Sequence, residues 1–386
     1  MANMDYEKEQ ERLLRLFKKY PVVNIMMTKR KQGKMTILKK DLKLVTQNKN
    51  LMKMMMRKLM QMNHILWGEI RERNGLKPVL RENTPIGIWE CFFDNEILNN
   101  IVNFTNIEIQ KETEKFSRNR DIYPTNLDEV RALIGLLYLA GVRKANHLNT
   151  EDLWRTDGTG IEVFRLTMSL RRFRTLLRFI RFDDIETRQE RVALDKLAPI
   201  RTLFDHFNEN LKNSYSHSDY VTVDEKLEAF RGRCGFRQYI PNKPNRYGIK
   251  IFAVSDAKMF YTSQMEVYVG QQPNGPYKID TNAKAVVQRL CQHIFKTNRN
   301  VTTDNWFSSI PLADSLRDNG LTFIGTMRKN KREIPDLFTQ KNERPIGSSM
   351  FAFGCGGCTE YLPIQKRQLA DFEGPEYLTS GPVAAI

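Results

Sequence analysis

"VTTDNWFSS", residues 301–309, decides how the second half of this chain is read. Val301, Thr302 and Thr303 are β-branched and read as a strand. The run stops on a carboxylate, Asp304, with Asn305 and Trp306 behind it. A strand that ends on an acid has two readings. Asp304 caps the turn into the next helix, or it joins other carboxylates in holding a cation at the end of a sheet. The segments on either side determine which partners it can meet.

Upstream, "DYVTVDEKLEAF" (219–230) is strand-like and places Asp224 in the first strand of the region. The Arg/Gly-rich loop "RGRCGF" follows. "YGIKIFAVSDAKMFYTSQMEVYVG" (247–270) reads as two strands joined at Asp256–Ala257–Lys258. These three strands are consecutive and can pair as an antiparallel meander. "TNAKAVVQRLCQHIF" (281–295) is helical, followed by the strand 300–304. "IPLADSLRDNG" (310–320) is a helix with Gly320 as its C-terminal stop, and "LTFIGTMRK" (321–329) is a last strand. The order β-β-β-α-β-α-β makes an α/β fold with a mixed sheet. It is the order of a ribonuclease-H-like domain. In it the strands bearing Asp224 and Asp304 can be neighbours, and two adjacent carboxylates repel unless a divalent cation neutralises them. Mg²⁺ suits such a site, because it takes hard oxygen ligands and keeps several waters. Two ions about 3.5–4 Å apart would serve phosphodiester chemistry.

Residues 86–217 are largely helical in pattern. "LDEVRALIGLLYLAGV" (127–142) opens behind Asn126, a capping residue, and is apolar nearly all round, so it is expected to be buried. In "MSLRRFRTLLRFIRFDD" (168–184), Leu170, Phe173, Leu177 and Ile180 recur on one helical face. Arg171, Arg174, Arg178 and Arg181 form a stripe beside them. That stripe is either a solvated face or a track for DNA phosphates. Arg231 and Arg233 after the first strand, Lys243 and Arg246 in "NKPNRYG", and Lys329 and Lys331 after the last strand are further phosphate-binding candidates.

The bulk numbers agree with a nucleic-acid partner. The net charge is +16, and residues 1–80 hold 19 Lys and Arg against 7 Asp and Glu. Clustered excess charge gains from counterion release. Residues 5–20 read as a short helix, Lys29–Arg30–Lys31 as a nuclear import cluster, 51–62 as a Met-rich helix and 63–85 as a linker. No run reaches the roughly 18 apolar residues of a membrane span, so no membrane partner is expected. Nor is a small-molecule substrate. The five cysteines suggest reduced thiols. Cys355 and Cys358 in "CGGC" supply only two of four zinc ligands. The five histidines show no ligand spacing. Trp306 either packs under the following helix or stacks on a base or ribose.

The segments "VTVDEKLEAFRGR", "RQYIPNKPNRYGIKIFAVSD", "VTTDNWFSSIPLADSL" and "LTFIGTMRKNKREIP" resemble the piggyBac transposase family and its domesticated derivatives. So do "TNLDEVRALIGLLYLAGV", "LWRTDG" and "RFIRFDD", and the likeness runs from about residue 86 to Phe353. It implies a DDE-type nuclease and strand-transfer core behind a helical dimerisation and DNA-binding region. It also implies a homodimer acting in the nucleus on double-stranded DNA, cutting and rejoining at TTAA sites with Mg²⁺. Asp224 matches the first catalytic aspartate and Asp304 the second. The third lies in a "GGVDxxD"-like motif that residues 354–386 do not reproduce. Two functions follow as expectations: a DNA-binding transposase derivative that is catalytically incomplete, or an active Mg²⁺-dependent DDE transposase. The expected organisation is a basic, partly disordered region 1–85, a helical region 86–217, a partial core 218–353 lacking its C-terminal part, and a divergent, disordered tail 354–386.

Overall fold

A computed structural model describes residues 84–336 apart from 117–121, 146–147 and 242, together with the backbone of 360–362 and 383–385. The expectations for 5–20, 29–31 and 51–62, for most of the linker and for Cys355 and Cys358 lie outside the described residues. Two units divide the chain within one helix, at Phe207/Asn208, with 232–234 assigned to the first.

The first unit is helical, and its helices start on caps that the sequence supplies. Helix α1 (Pro85–Glu90) begins where Thr84 accepts from the Gly87 N–H. Helix α2 (Asn95–Thr113) is capped by Asp94 and α3 (Leu127–Val142) by Asn126, which accepts from the Glu129 N–H at 2.9 Å. As its apolar circumference predicts, α3 buries Val130, Leu133, Ile134, Leu136, Leu139 and Val142. Then follow α4 (Glu162–Thr167), α5 (Leu170–Phe179), α6 (Arg188–Leu194) and α7 (Arg201–Ser214).

Helix α5 is shorter than the arginine spacing suggests. Ile180 adopts ψ 128°, so Arg181 leaves the helix and turns inward. Its guanidinium donates to Glu108 Oε1 at 2.5 Å and to the carbonyls of Arg178 and Ile180. At 6 % exposure it cannot reach DNA, so Arg181 drops out of the candidate phosphate stripe. Arg172, off that stripe, is a second buried cation. It forks onto both Glu129 oxygens at 2.7 and 2.5 Å and lies 3.7 Å from the centre of the Tyr123 ring. Arg174 pairs with Glu151 at 2.9 Å at the surface, and Arg178 lies over the Phe179 ring.

The second unit is built on a mixed sheet. Strands β1 (Tyr220–Ala229), β2 (Gln238–Tyr239), β3 (Tyr247–Asp256) and β4 (Thr262–Val267) come first, then α8 (Ala283–Cys291), β5 (Asn300–Thr303), α9 (Ile310–Asp318) and β6 (Thr322–Gly325). The expected meander is present: β1 pairs antiparallel with β3, and β3 with β4. The two-residue β2 was not foreseen; it shares the β4 edge of β3. The expected crossover is also present, with β5 parallel to β1 and β6 parallel to β5. Period-2 alternation puts Val221, Val223, Phe252, Val254, Val301 and Phe323 in one core with Val286, Val287 and Leu290 of α8 and Leu312 and Leu316 of α9. Gly320 ends α9 at φ 67°, the left-handed stop read from the sequence. The free backbone of β4 is partly closed by Asn208, whose amide bonds the Met265 N–H and C=O at 3.0 and 2.9 Å. Farther on, β7 (Glu360–Leu362) and β8 (Val383–Ala385) form a short parallel pair within the region expected to be disordered.

Histidines that the spacing kept apart meet beside β4. Ser263 Oγ lies 2.6 Å from His217 Nε2 and 2.9 Å from His293 Nε2. Burial above all, helped by His293 and Arg299 and opposed by Asp256, pulls the His217 imidazole down to about 4 from 6.5. Between those values the unfolded chain holds a proton that the folded chain does not. Stability is therefore expected to fall as pH drops from 6.5 towards 4, by up to about 3 kcal/mol. Unfolding midpoints at pH 7 and pH 5 check this. His217→Gln should flatten the dependence, and an equal dependence in that variant would assign it to other groups.

Candidate active site

The register brings the two acids together. Val223 on β1 is paired with Thr303 on β5, and Asp224 and Asp304 are each the next residue along. Neighbouring strands lie about 4.8 Å apart, so the carboxylates share one end of the β5 ladder. Both side chains are exposed. Each engages one oxygen with the backbone. Asp224 Oδ1 accepts from the Glu225 N–H at 2.7 Å, and Asp304 Oδ1 from the N–H groups of Trp306 and Phe307 at 3.0 and 3.4 Å. The second oxygen of each has no protein donor among the described residues. The capping reading of the opening stretch therefore holds: Asp304 caps its turn with one oxygen, and its other oxygen has no protein donor among the described residues.

The turn behind Asp304 is fixed by short contacts. Ser308 Oγ donates to the Asp304 carbonyl at 2.8 Å and lies 2.8 Å from Thr303 Oγ1. Gly325 on β6 is opposite Thr303, and a Cβ there would meet Ser308 Oγ at 2.3 Å. Glycine at this position lets β6 approach the turn. Trp306 packs rather than standing free. It stacks on Phe252 at 5.5 Å and 15° and meets Phe307 edge-on at 4.7 Å.

The donor set fits a hard divalent cation: two carboxylates with a free oxygen each, exposed, on adjoining strands. Asp224 and Asp304 would hold Mg²⁺, which when bound polarises phosphoryl oxygens and activates water. Among the described residues no group of three or more His, Cys, Asp or Glu side chains is suited to a metal.

Two cations near this end were not singled out from the sequence. Lys250 of β3 is half-buried, with its Nζ 4.6 Å from the centre of the Trp306 ring and 4.7 Å from that of Phe252. Burial lowers its pKa, opposed by Glu225, Asp304 and Asp224 and aided by Lys243. Arg328, just past β6, donates to Asn305 beside Asp304 at 3.1 Å. The signal for Lys250 was the run "GIKIF", where a lysine interrupts a strand whose flanking isoleucines are buried. Of the candidates named beforehand, Arg231, Arg233, Arg246 and Lys329 are exposed. Lys331 is half-exposed, and Lys243 pairs with Glu225 at 3.5 Å.

The family model described as Transposase IS4 matches residues 84–364, more than half of the chain. The chain belongs to the DDE transposases of this family, in their piggyBac group. Human PiggyBac transposable element-derived protein 3 is 24% identical over 269 residues, covering 68% of this chain and 43% of the relative. Human PiggyBac transposable element-derived protein 2 is 25% identical over 284 residues, covering 71% and 45%. The chain thus spans less than half the length of these relatives. A cryo-EM structure of a piggyBac transposase synaptic complex with hairpin DNA superposes with a TM-score of 0.67 at 36% identity, covering 73% of this chain and 59% of that one. The mixed α/β architecture with its mixed sheet is structurally similar to the catalytic region of a piggyBac transposase.

Proposed function

We propose that this chain binds double-stranded DNA as a piggyBac-derived protein whose ribonuclease-H-like core holds Mg²⁺ weakly and is catalytically incomplete. The observation that carries the reading is the register of Asp224 against Asp304, which sets two exposed carboxylates side by side next to fixed cations. Two carboxylates fill a minority of the octahedral positions that Mg²⁺ demands. Phosphodiester transfer by two metals needs further acid ligands. Among the described residues no third His, Cys, Asp or Glu side chain joins the pair in a group suited to a metal. DNA phosphates would be held by Arg171, Arg174 and Arg178 on α5, by Arg231, Arg233, Lys243 and Arg246 between β1 and β3, and by Lys329 and Lys331 beyond β6. The solved relative is a synaptic complex with hairpin DNA, which supports the choice of partner. Homodimerisation and a nuclear location complete the proposal.

The test is fluorescence anisotropy of the full chain on a TTAA-containing duplex across a salt series. Binding that falls by 10³-fold or more between 50 and 200 mM salt is the expected result for at least six phosphate contacts. Exchanging Arg231, Arg233 and Arg246 together for glutamine should weaken binding alike on TTAA and scrambled duplexes, because phosphate contacts carry no sequence information. Affinity that ignores salt would overturn the reading.

The active-enzyme reading has one observation in its favour. Asp224 and Asp304 keep their free oxygens at the matched register positions, with Lys250 and Arg328 close by.

A further inference from the structure

We propose that Lys250 is a phosphate anchor, which seats one backbone phosphate of the bound strand against the Asp224–Asp304 end of the sheet. The inference deepens the DNA-binding reading and rests on it. Lys250 pairs with Leu227 in the β1–β3 ladder, three positions past the Asp224–Ala253 pair. Its side chain runs back along β3, and its Nζ stands over Phe252 and Trp306 at 4.7 and 4.6 Å and 5.9 Å from the Tyr268 ring centre. Three ring faces therefore fix the ammonium on one side.

What the ammonium lacks is an anion. Among the described residues no carboxylate comes within ion-pair distance of it. On the sheet face that Lys250 shares, the nearest acid of β1 is Glu225 opposite Phe252, which is engaged by Lys243 at 3.5 Å, while Glu228, one position from Leu227, belongs to the other face and pairs with Lys226 at 3.0 Å. A half-buried cation held on rings is stabilised by their quadrupoles, but its remaining N–H donors gain more from a charged acceptor. Asp224 and Asp304 make the opposite demand. Their negative field repels an approaching phosphodiester, so a strand lying across them needs a fixed positive charge nearby. A cation already held in place supplies it without reorganisation. A surface lysine would first have to be ordered. The bland alternative is that Lys250 is a lid on the aromatic floor, contributing packing through its stem.

The two roles separate in the salt dependence of binding. Lys250→Met keeps the apolar stem and removes the charge. With the full chain on a TTAA duplex, the slope of log K against log[salt] should become shallower by about 1. The loss should be the same on a scrambled duplex, while the thermal midpoint stays level or rises. Lys250→Arg, which keeps charge and can stack on the rings, should retain the slope. Lys250→Gln repeats the test should the methionine variant fold poorly. An unchanged slope in Lys250→Met or Lys250→Gln overturns the anchor and leaves the DNA-binding reading standing. A wild-type chain that binds no duplex overturns both.

Discussion

Glu108→Leu is expected to destabilise the helical unit by about 3–5 kcal/mol, because it leaves Arg181 buried without a counter-charge. Arg181 and Glu108 are 7 % and 10 % exposed at the side chain and meet at 2.5 Å. The carbonyls of Arg178 and Ile180 satisfy donors of the guanidinium but not its charge. Burial pulls its pKa below the ordinary arginine value, and Glu108 pushes back. Arg181→Leu strands the carboxylate instead and should cost a similar amount. The double variant Glu108→Leu/Arg181→Met removes both charges from an apolar setting and should recover most of the loss, since a buried pair gains little over well-packed apolar side chains. Urea midpoints at constant m-value measure all three. A single-variant loss under about 1 kcal/mol would mean that water reaches the pair, and would return Arg181 to the surface arginines.

That pair also marks where sequence reading stops. The arginine stripe was legible only as long as the helix continued, and α5 ends at Phe179. Nothing local to "RFIRFDD" says that Ile180 turns extended or that Glu108, 73 residues away, is waiting for Arg181. The same distance problem hid the meeting of His217 with His293 across Ser263. By contrast the sheet was legible almost strand by strand. β-branched alternation defines β1, β3 and β5, and Asp256–Ala257–Lys258 and Gly320 mark stops that hold in the structure. That order allows the strands of Asp224 and Asp304 to be neighbours, and the parallel pairing of β5 with β1 in the structure makes them so. Lys250 falls between these cases. Its anomaly, a lysine between buried isoleucines, is written in the sequence, but the rings that hold it come from β3, the segment after β4 and the turn after β5.

At the carboxylate pair, Asp224→Asn and Asp304→Asn are each expected to weaken Mn²⁺ binding by more than the roughly 10–100-fold that losing an outer-shell partner costs a metal site. An amide keeps the shape of the side chain and removes the charge a hard cation needs. Asp304 allows its two roles to be separated. Asparagine retains an oxygen for the Trp306 and Phe307 N–H groups, whereas alanine does not. Asp304→Ala should therefore lose about 1 kcal/mol of stability in addition to the metal, and Asp304→Asn the metal alone. Equal stability in the two variants would remove the capping role. Strand cleavage then decides what the retained pair is for. With Mg²⁺ and a TTAA duplex, the wild-type chain is expected to nick no faster than either asparagine variant, because two ligands leave the cation too loosely placed and small misplacements cost about 10²-fold in rate. Metal-dependent nicking that disappears in both variants would mean the reverse. A third acid would then reach the pair from beyond residue 336 or from a second copy, and the chain would be a working transposase core.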